Sequence, residues 1–255
     1  METQIKVLKN VKFKNPVLIE GLPGIGNVGR VAVGYITHEL KLEKFAEVYS
    51  PHFLPLVIIH DDSVADVLKF EFYYMKTKKR DIIILTGDTQ SISPEGHYDV
   101  CNKVIDFCAK LGVKEIVTLG GFTEGREVTD PRVIGAVNDK ALLKKYEKYD
   151  IDFGKEHTIG TIVGASGLLL GLGKLKNMKG LCLMGETFDL PLLTDPKAAD
   201  RILQVLKKMF GIKIDLSKLE KTIKEMEQKI KKTEDIYKKM LQHIPKKDDQ
   251  VRYIG

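Results

Sequence analysis

A glycine-rich segment near the N-terminus has the spacing of a nucleotide-binding turn. Gly24, Gly26 and Gly29 form G-x-G-x-x-G between a predicted strand, Pro16–Glu20, and a predicted helix, Val28–Leu40. In dinucleotide-binding folds, such a turn lets the free backbone N–H groups of a helix N-terminus approach a pyrophosphate. One hypothesis is therefore a small-molecule enzyme that acts on a nucleoside or nucleotide.

Two features favour a structural role for the same glycines. Pro23 precedes the first glycine and stiffens a turn that would have to fold around a phosphate. The acid that binds the ribose should end the second strand about 20 residues further on. Glu47 has nearly that spacing, but the strand pattern around it is poor. We favour Gly24, Gly26 and Gly29 as a structural turn that lets the next helix pack closely on the sheet.

Two further groups of polar residues have side chains that could bind a metal or act as a nucleophile. His60, Asp61 and Asp62 end a predicted strand, but no second cluster of ligands has the spacing that a metal site needs. Ser166 lies in Val163–Gly167, which lacks the G-x-S-x-G pattern of a hydrolase and is typical of a first helical turn. We predict no catalytic residue and no metal ligand.

Three loops follow predicted strands and carry polar side chains: Gly87–Gln90, Gly120–Arg126 and Gly185–Thr187. Ligand crevices of open α/β sheets form at the carboxyl ends of parallel strands, so these loops could line a small-molecule pocket. No nucleophile and base can be paired among them, and solvated loop polarity is the simpler interpretation.

The elements that would position these residues alternate along the first 210 residues. Runs such as Ile82–Leu85 and Ile116–Leu119 are apolar on both faces, as parallel strands covered by helices require. This alternation predicts a layered α/β domain with a mostly parallel sheet, and Phe70–Lys79 an extra strand at its edge. The predicted strands are Pro16–Glu20, Leu56–His60, Asp81–Thr86, Glu115–Gly120, Glu156–Val163 and Gly180–Met184, and the predicted helices are Val28–Leu40, Gly96–Leu111, Asp139–Tyr146, Ala165–Leu175 and Ala198–Phe210.

The composition changes near residue 211, which predicts an α/β domain over 1–211, a heptad helix over 212–245 and a flexible tail over 246–255. A narrow apolar seam favours a coiled-coil-type helix that projects and pairs with a copy of itself or a neighbouring subunit. Packing back on its own domain is the alternative. Pro245 ends the helix, and an apolar peptide, Val251–Gly255, follows a charged linker. The seam residues are Leu216, Leu219, Ile223, Met226, Ile230, Tyr237, Met240 and Ile244.

The charge distribution excludes several classes of protein. The chain of 255 residues has a net charge of +6, but residues 201–255 carry +7 and residues 1–200 carry −1. A neutral body argues against a nucleic-acid binder. No apolar stretch is long enough to span a membrane. Three widely spaced cysteines, Cys101, Cys108 and Cys182, are typical of small core residues in a reducing compartment. We expect a cytoplasmic protein.

Six glycine-rich or polar segments occur in this order: Glu20–Gly29, Leu85–Gln90, Leu119–Phe122 continuing through Gly125–Arg126, Gly164–Gly171, Gly185–Thr187 and Asp195–Ala199. Together they resemble the archaeal branch of the proteasome assembly chaperone family. The resemblance covers about residues 5–210. It implies an α/β fold similar to nucleoside phosphorylases but without their catalytic apparatus, and binding of proteasome α subunits without ATP or another cofactor.

The same resemblance directs attention to the C-terminal tail. Family members often end in a hydrophobic residue, a tyrosine and any residue, and this tail enters pockets between adjacent α subunits. This chain differs, because Tyr253 is third from the end of the sequence. We expect Val251, Tyr253, Ile254 and Gly255 to bind α subunits or a paralogous chaperone, with several tails presented by a homo-oligomer. An oligomeric scaffold with an unrelated partner is a further alternative.

Overall fold

The computed structural model describes residues 2–60, 62–125, 128–154, 160–187, 194–219 and 221. Within these ranges, eight strands form one sheet, and two short strands form a separate hairpin. The strands are β1 (Gln4–Val7), β2 (Val17–Glu20), β3 (Glu43–Tyr49), β4 (Val57–Ile59), β5 (Ala65–Val67), β6 (Phe70–Met75), β7 (Ile82–Gly87), β8 (Glu115–Phe122), β9 (Val133–Val137) and β10 (Lys179–Glu186), with β4 and β5 in the hairpin.

The large sheet has the order β1-β3-β6-β7-β2-β8-β10-β9. The four central strands, β7, β2, β8 and β10, pair in parallel, and the pairings outside them are antiparallel. The α/β class is confirmed, and the sheet is mixed. β6 lies between β3 and β7, so the predicted edge position of Phe70–Lys79 is wrong.

Five α-helices complete the described layers: α1 (Val28–Glu39), α2 (Pro94–Lys110), α3 (Leu143–Tyr146), α4 (Ala165–Leu175) and α5 (Pro196–Phe210). Two of them begin with proline after a capping side chain: Ser93 accepts from the N–H of Gly96, and Asp195 from those of Lys197 and Ala198. The predicted helix Asp139–Tyr146 is a 3-10 turn, Lys140–Leu142, followed by α3. Among the described ranges, no helix is both long and apolar enough to cross a membrane.

The central strands are buried on both faces, which explains their uninterrupted apolar sequences. Ile82 and Ile84 of β7 pack in a core with α1 and α5, whereas Ile83 and Leu85 pack in a second core with α2 and α4. The two helix layers thus pack on both faces of the central strands and hold in place the loops that follow their carboxyl ends.

Some predicted elements differ from the structure. The sequence pattern missed β1, β3, β5 and β9. Residues 160–163, the described part of the predicted strand Glu156–Val163, contain no strand and lead directly into α4; residues 156–159 lie outside the described ranges. Predicted Leu56–His60 is strand β4 of the hairpin rather than of the main sheet.

Candidate functional site

The carboxyl ends of β2, β7, β8 and β10, here called the carboxyl edge, bring together the motif loops. The backbone N–H of Gly21 donates to the carbonyl of Leu85 at 2.9 Å. The N–H of Asp195 donates to Gly26 at 3.0 Å, and that of Thr187 to Phe122 at 2.9 Å. The loops therefore hold one another through main-chain hydrogen bonds.

Two glycines of the G-x-G-x-x-G segment are required by close packing or by backbone conformation. A Cβ on Gly29 would lie 2.4 Å from the carbonyl oxygen of Leu119, so glycine lets α1 approach β8. Gly26 has φ of +60°, and a Cβ there would lie 2.8 Å from Oγ1 of Thr187. Gly24 differs, because its nearest contact would be 4.0 Å away. This geometry supports the structural-turn interpretation.

Gln90 fills the space between the glycine turn and α4. Its Nε2 donates to the carbonyl of Pro23 at 2.5 Å, and its Oε1 accepts from the N–H of Ala165 at 2.9 Å. The hydroxyl of Thr86 donates to the carbonyl of Gly21 at 3.0 Å. A backbone N–H group that an anion could use at the N-terminus of α4 is thus already bound by a side chain of the same chain.

A buried carboxyl lies beneath this turn. Glu20 ends β2 and is fully buried, and it accepts from the N–H of Leu22 at 3.0 Å and from the hydroxyl of Ser166 at 3.1 Å. Burial raises the pKa of Glu20 to about 7, although these hydrogen bonds act in the opposite direction. Ser166 lies in the first turn of α4, as the sequence predicted.

The other strand-end loops also satisfy their charges internally. Glu186, at the end of β10, accepts from Nε of Arg132 at 2.9 Å. Thr187 donates to Oδ2 of Asp195 at 2.8 Å in a buried position. Arg30 on α1 lies 3.6 Å from Asp88 in the loop after β7. The polar residues of the carboxyl edge thus tie the loops to one another.

The remaining polar candidates lie away from this edge or fall short of a site. Glu47 lies within β3, which β6 and β7 separate from β2, so it cannot serve a ligand at the glycine turn. His60 pairs with Asp66 at 3.1 Å in the exposed hairpin, and Asp61 is outside the described residues. Within the described ranges, no three His, Cys, Asp or Glu side chains are grouped as a metal would need.

The three cysteines are buried and free, as the sequence predicted. Burial raises the pKa of Cys101, Cys108 and Cys182 to about 12 in each case. Their thiols therefore stay protonated at neutral pH and are poor nucleophiles.

Only the first two residues of the predicted helix seam are described. Leu219 is buried and Leu216 half-buried, and both pack against the core formed by α1 and α5. The other seam residues, Ile223, Met226, Ile230, Tyr237, Met240 and Ile244, and the tail residues Val251, Tyr253, Ile254 and Gly255, lie outside the described ranges.

Sequence reasoning missed the role of Gln90 as a bridge between the glycine turn and α4. Its two partners are 67 and 75 residues away in the chain. A sequence pattern reports neighbours within a turn of helix or a strand, so it contains no signal for such pairs.

Comparison with known proteins finds relatives that match nearly the whole chain. The uncharacterized protein MJ1210 of Methanocaldococcus jannaschii is 41% identical over 246 residues, which cover 95% of this chain and 93% of that protein. The structure resembles PbaB of Pyrococcus furiosus, an archaeal proteasome activator, with a TM-score of 0.82 and 40% identity over 91% of this chain and 99% of that chain.

A second similar structure is PbaA of Pyrococcus furiosus, an archaeal homolog of proteasome-assembly chaperone. It has a TM-score of 0.75 and 25% identity, and the match covers 93% of this chain and 99% of that chain. The model of the PAC2 family matches residues 18–234. The matched region includes the glycine turn, the carboxyl edge and the start of the predicted heptad helix. The chain therefore belongs to the PAC2 family.

Proposed function

We propose that this protein is an ATP-independent chaperone-type protein that binds proteasome α subunits or a paralogous assembly chaperone. The observation that carries this proposal is the 40% identity to the proteasome activator PbaB over 99% of that chain. The likeness to PbaA, a homolog of proteasome-assembly chaperone, and membership of the PAC2 family support a chaperone-type role.

The geometry of the carboxyl edge supports a scaffold role for its loops rather than a catalytic one. Gln90 bridges the glycine turn and α4 with hydrogen bonds of 2.5 and 2.9 Å. Gly29 is held against Leu119, so the glycine turn serves the packing of α1. We therefore assign these residues to the scaffold and propose that the protein uses no cofactor.

We assign partner binding to the C-terminal residues. The heptad helix over 212–245 would arrange copies of the chain in a homo-oligomer, and the tail over 246–255 would carry the apolar anchors Val251, Tyr253 and Ile254. Several tails held by one oligomer bind more tightly than a single tail, because each later contact is intramolecular. Apolar and aromatic side chains commonly supply most of the binding energy at such contacts.

The test is native mass spectrometry of the protein alone and with proteasome α subunits, with and without ATP. Removal of residues 246–255 should abolish the complex and leave the oligomer intact. The double variant Tyr253→Ala and Ile254→Ala should weaken the complex strongly, whereas Asp248→Ala and Asp249→Ala in the charged linker serve as the matched control. A complex that survives the truncation unchanged would exclude the tail as the binding element.

A small-molecule enzyme is the second candidate, and one observation favours it. The buried Glu20, whose pKa is raised to about 7, contacts the hydroxyl of Ser166 at the edge where α/β enzymes bind substrates. A nucleoside-directed enzyme should show a thermal shift with nucleosides, phosphate or NAD, and the chaperone should not.

An oligomeric scaffold with an unrelated partner makes a different prediction. It should assemble through the seam without binding α subunits. The variants Ile223→Asp and Ile230→Asp test the seam itself, since loss of oligomer mass shows that these residues build the assembly.

A further inference from the structure

The segment that follows α5 packs into the α/β domain. Residues 212–219, here called the C-terminal anchor, follow Gly211, which ends α5 with φ of +65°. Ile212, Ile214 and Leu219 are only 5%, 7% and 3% exposed and belong to the same core as α1 and α5. The domain thus continues beyond the expected boundary at residue 211.

Asp215 links this segment to α1 through two different groups. Its carboxylate accepts from the N–H and from the hydroxyl of Ser217, both at 2.9 Å, which is the contact of a residue that caps a helix N-terminus. Its backbone carbonyl accepts from the hydroxyl of Tyr35, a fully buried residue of α1. The residue that starts the helical turn is therefore also held by the domain.

We propose that the C-terminal anchor fixes the direction in which the predicted heptad helix leaves the domain, with Tyr35 and Asp215 as positioning residues for the proposed partner-binding tail. The effect of the anchor on partner binding rests on the proposed function, whereas the direction of the predicted helix can be tested without it. A helix fixed at its base confines the tail to a small volume and raises its effective concentration at a second binding site. If the connection after Gly211 were flexible, the tail would sample a larger volume.

The anchor also divides the predicted seam. Leu219 is already buried against the domain, so it is not available to a second helix. Leu216 packs on the same core. The part of the seam that remains for pairing between subunits begins at Ile223, one heptad step after Leu219.

The test measures the distance between the domain and the helix by electron spin resonance. Lys208→Cys places one spin label on an exposed position of α5, and Lys232→Cys places the other in the heptad helix. The native cysteines are buried, so labelling is selective. Dilution with unlabelled protein keeps the measured pairs within one chain. The parent should give one narrow distance distribution.

Two variants remove the two halves of the link. Tyr35→Phe removes only the hydroxyl, and Asp215→Ala removes only the cap, because the backbone carbonyl stays. Each should broaden the distance distribution, and together they should weaken capture by immobilised α subunits by about three- to tenfold. Ser217→Ala is the milder control, since the N–H of residue 217 still donates to Asp215. Thermal unfolding establishes that each variant is folded before its distances are compared.

The outcomes separate this inference from the proposed function. A broad distribution in the parent, or a narrow one that both variants leave unchanged, overturns the anchor. Removal of residues 246–255 should abolish capture and leave the distribution narrow. If that truncation leaves capture intact while Tyr35→Phe and Asp215→Ala still broaden the distances, the anchor stands and the proposed function fails.

Discussion

Two glutamates are buried in two regions of the molecule, and their surroundings are opposite. Glu20, at the carboxyl edge, is 0% exposed and bonds to a hydroxyl and an N–H group. Glu47, in β3, is 5% exposed and bonds to Nζ of Lys44 at 2.6 Å and the hydroxyl of Tyr49 at 2.7 Å. One carboxyl is buried among neutral groups, and the other among cations.

The pKa values of the two carboxyls follow this difference. Burial raises the pKa of Glu20 to about 7. Burial disfavours the charge of Glu47 as well, but the hydrogen bonds from Lys44 and Tyr49 and the charges of Lys44 and Lys69 outweigh it and lower the pKa to about 2. The comparison teaches that the neighbours of a buried carboxyl decide its pKa: burial dominates among the neutral groups around Glu20, and the cations around Glu47 reverse its effect.

The largest effect should come from the packing of the glycine turn. Gly29→Ala would place a Cβ 2.4 Å from the carbonyl oxygen of Leu119. Because neither α1 nor β8 can move without disturbing the core, we expect a loss of about 3 kcal/mol in the free energy of unfolding. Urea unfolding followed by circular dichroism measures it.

Gly24→Ala is the matched control in the same motif. Its new Cβ would have no neighbour closer than 4.0 Å, and its backbone is extended. We expect a change within about 0.5 kcal/mol. Equal losses in both variants would contradict the assignment of Gly29 to close packing.

The two regions also differ in how well their sequence predicts them. The central strands could be predicted because Ile82 to Leu85 and their neighbours form short β-branched runs that are apolar on both faces, as a strand covered by helices on either side requires. β3 was missed because Lys44 and Glu47 interrupt its apolar pattern, and their partners Lys69 and Glu71 lie elsewhere in the sequence.

β6 was predicted but assigned to the wrong position in the sheet. Phe70 and Phe72 face the core with α2, while Glu71 contacts Lys44 on the other face. Such alternation shows that the two faces differ, and it does not distinguish an edge strand from an interior strand. The hydrogen bonds of Gln90, like the charge pairs of β3, depend on chain segments that only the fold brings together.

The second prediction tests the outer strands. Glu47→Gln keeps the shape of the side chain but removes one of the two carboxylates that each of Lys44 and Lys69 faces. We expect a loss of about 2 kcal/mol at pH 7, the usual value for a hydrogen-bonded charge in a partly buried site. Urea unfolding at pH 7 measures it.

The lowered pKa of Glu47 also predicts how the free energy of unfolding changes with pH. The folded-state pKa of Glu47 is lowered, so its contribution is present above about pH 4.5 and is lost as the pH falls toward about 2. The parent should therefore lose more stability than Glu47→Gln over that interval. Glu43→Gln removes an exposed partner of Lys9 and should have a much smaller effect. A comparable loss from both variants would show that burial adds nothing to the Glu47 network.

The smallest effect, and the one that distinguishes the two glutamates most directly, is a gain of stability at the carboxyl edge. The pKa of Glu20 is raised from 4.5 to about 7, so the folded state binds its proton more tightly than the unfolded state. The contribution of Glu20 to the free energy of unfolding should therefore fall as the pH rises from about 4.5 to about 7 and then stay level. The shift from 4.5 to about 7 corresponds to about 3 kcal/mol. Glu20→Gln cannot ionise, so it should lack this fall, but the amide loses an oxygen that accepts from Ser166, which offsets part of the gain. We therefore expect Glu20→Gln to exceed the parent by about 1 kcal/mol at pH 8. Ser166→Ala removes a donor that lowers the pKa of Glu20, so it should extend the fall to higher pH. The slopes of unfolding free energy against pH for Glu20→Gln and Glu47→Gln should then depart from the parent in opposite directions, and the same sign in both would remove the contrast between the two regions.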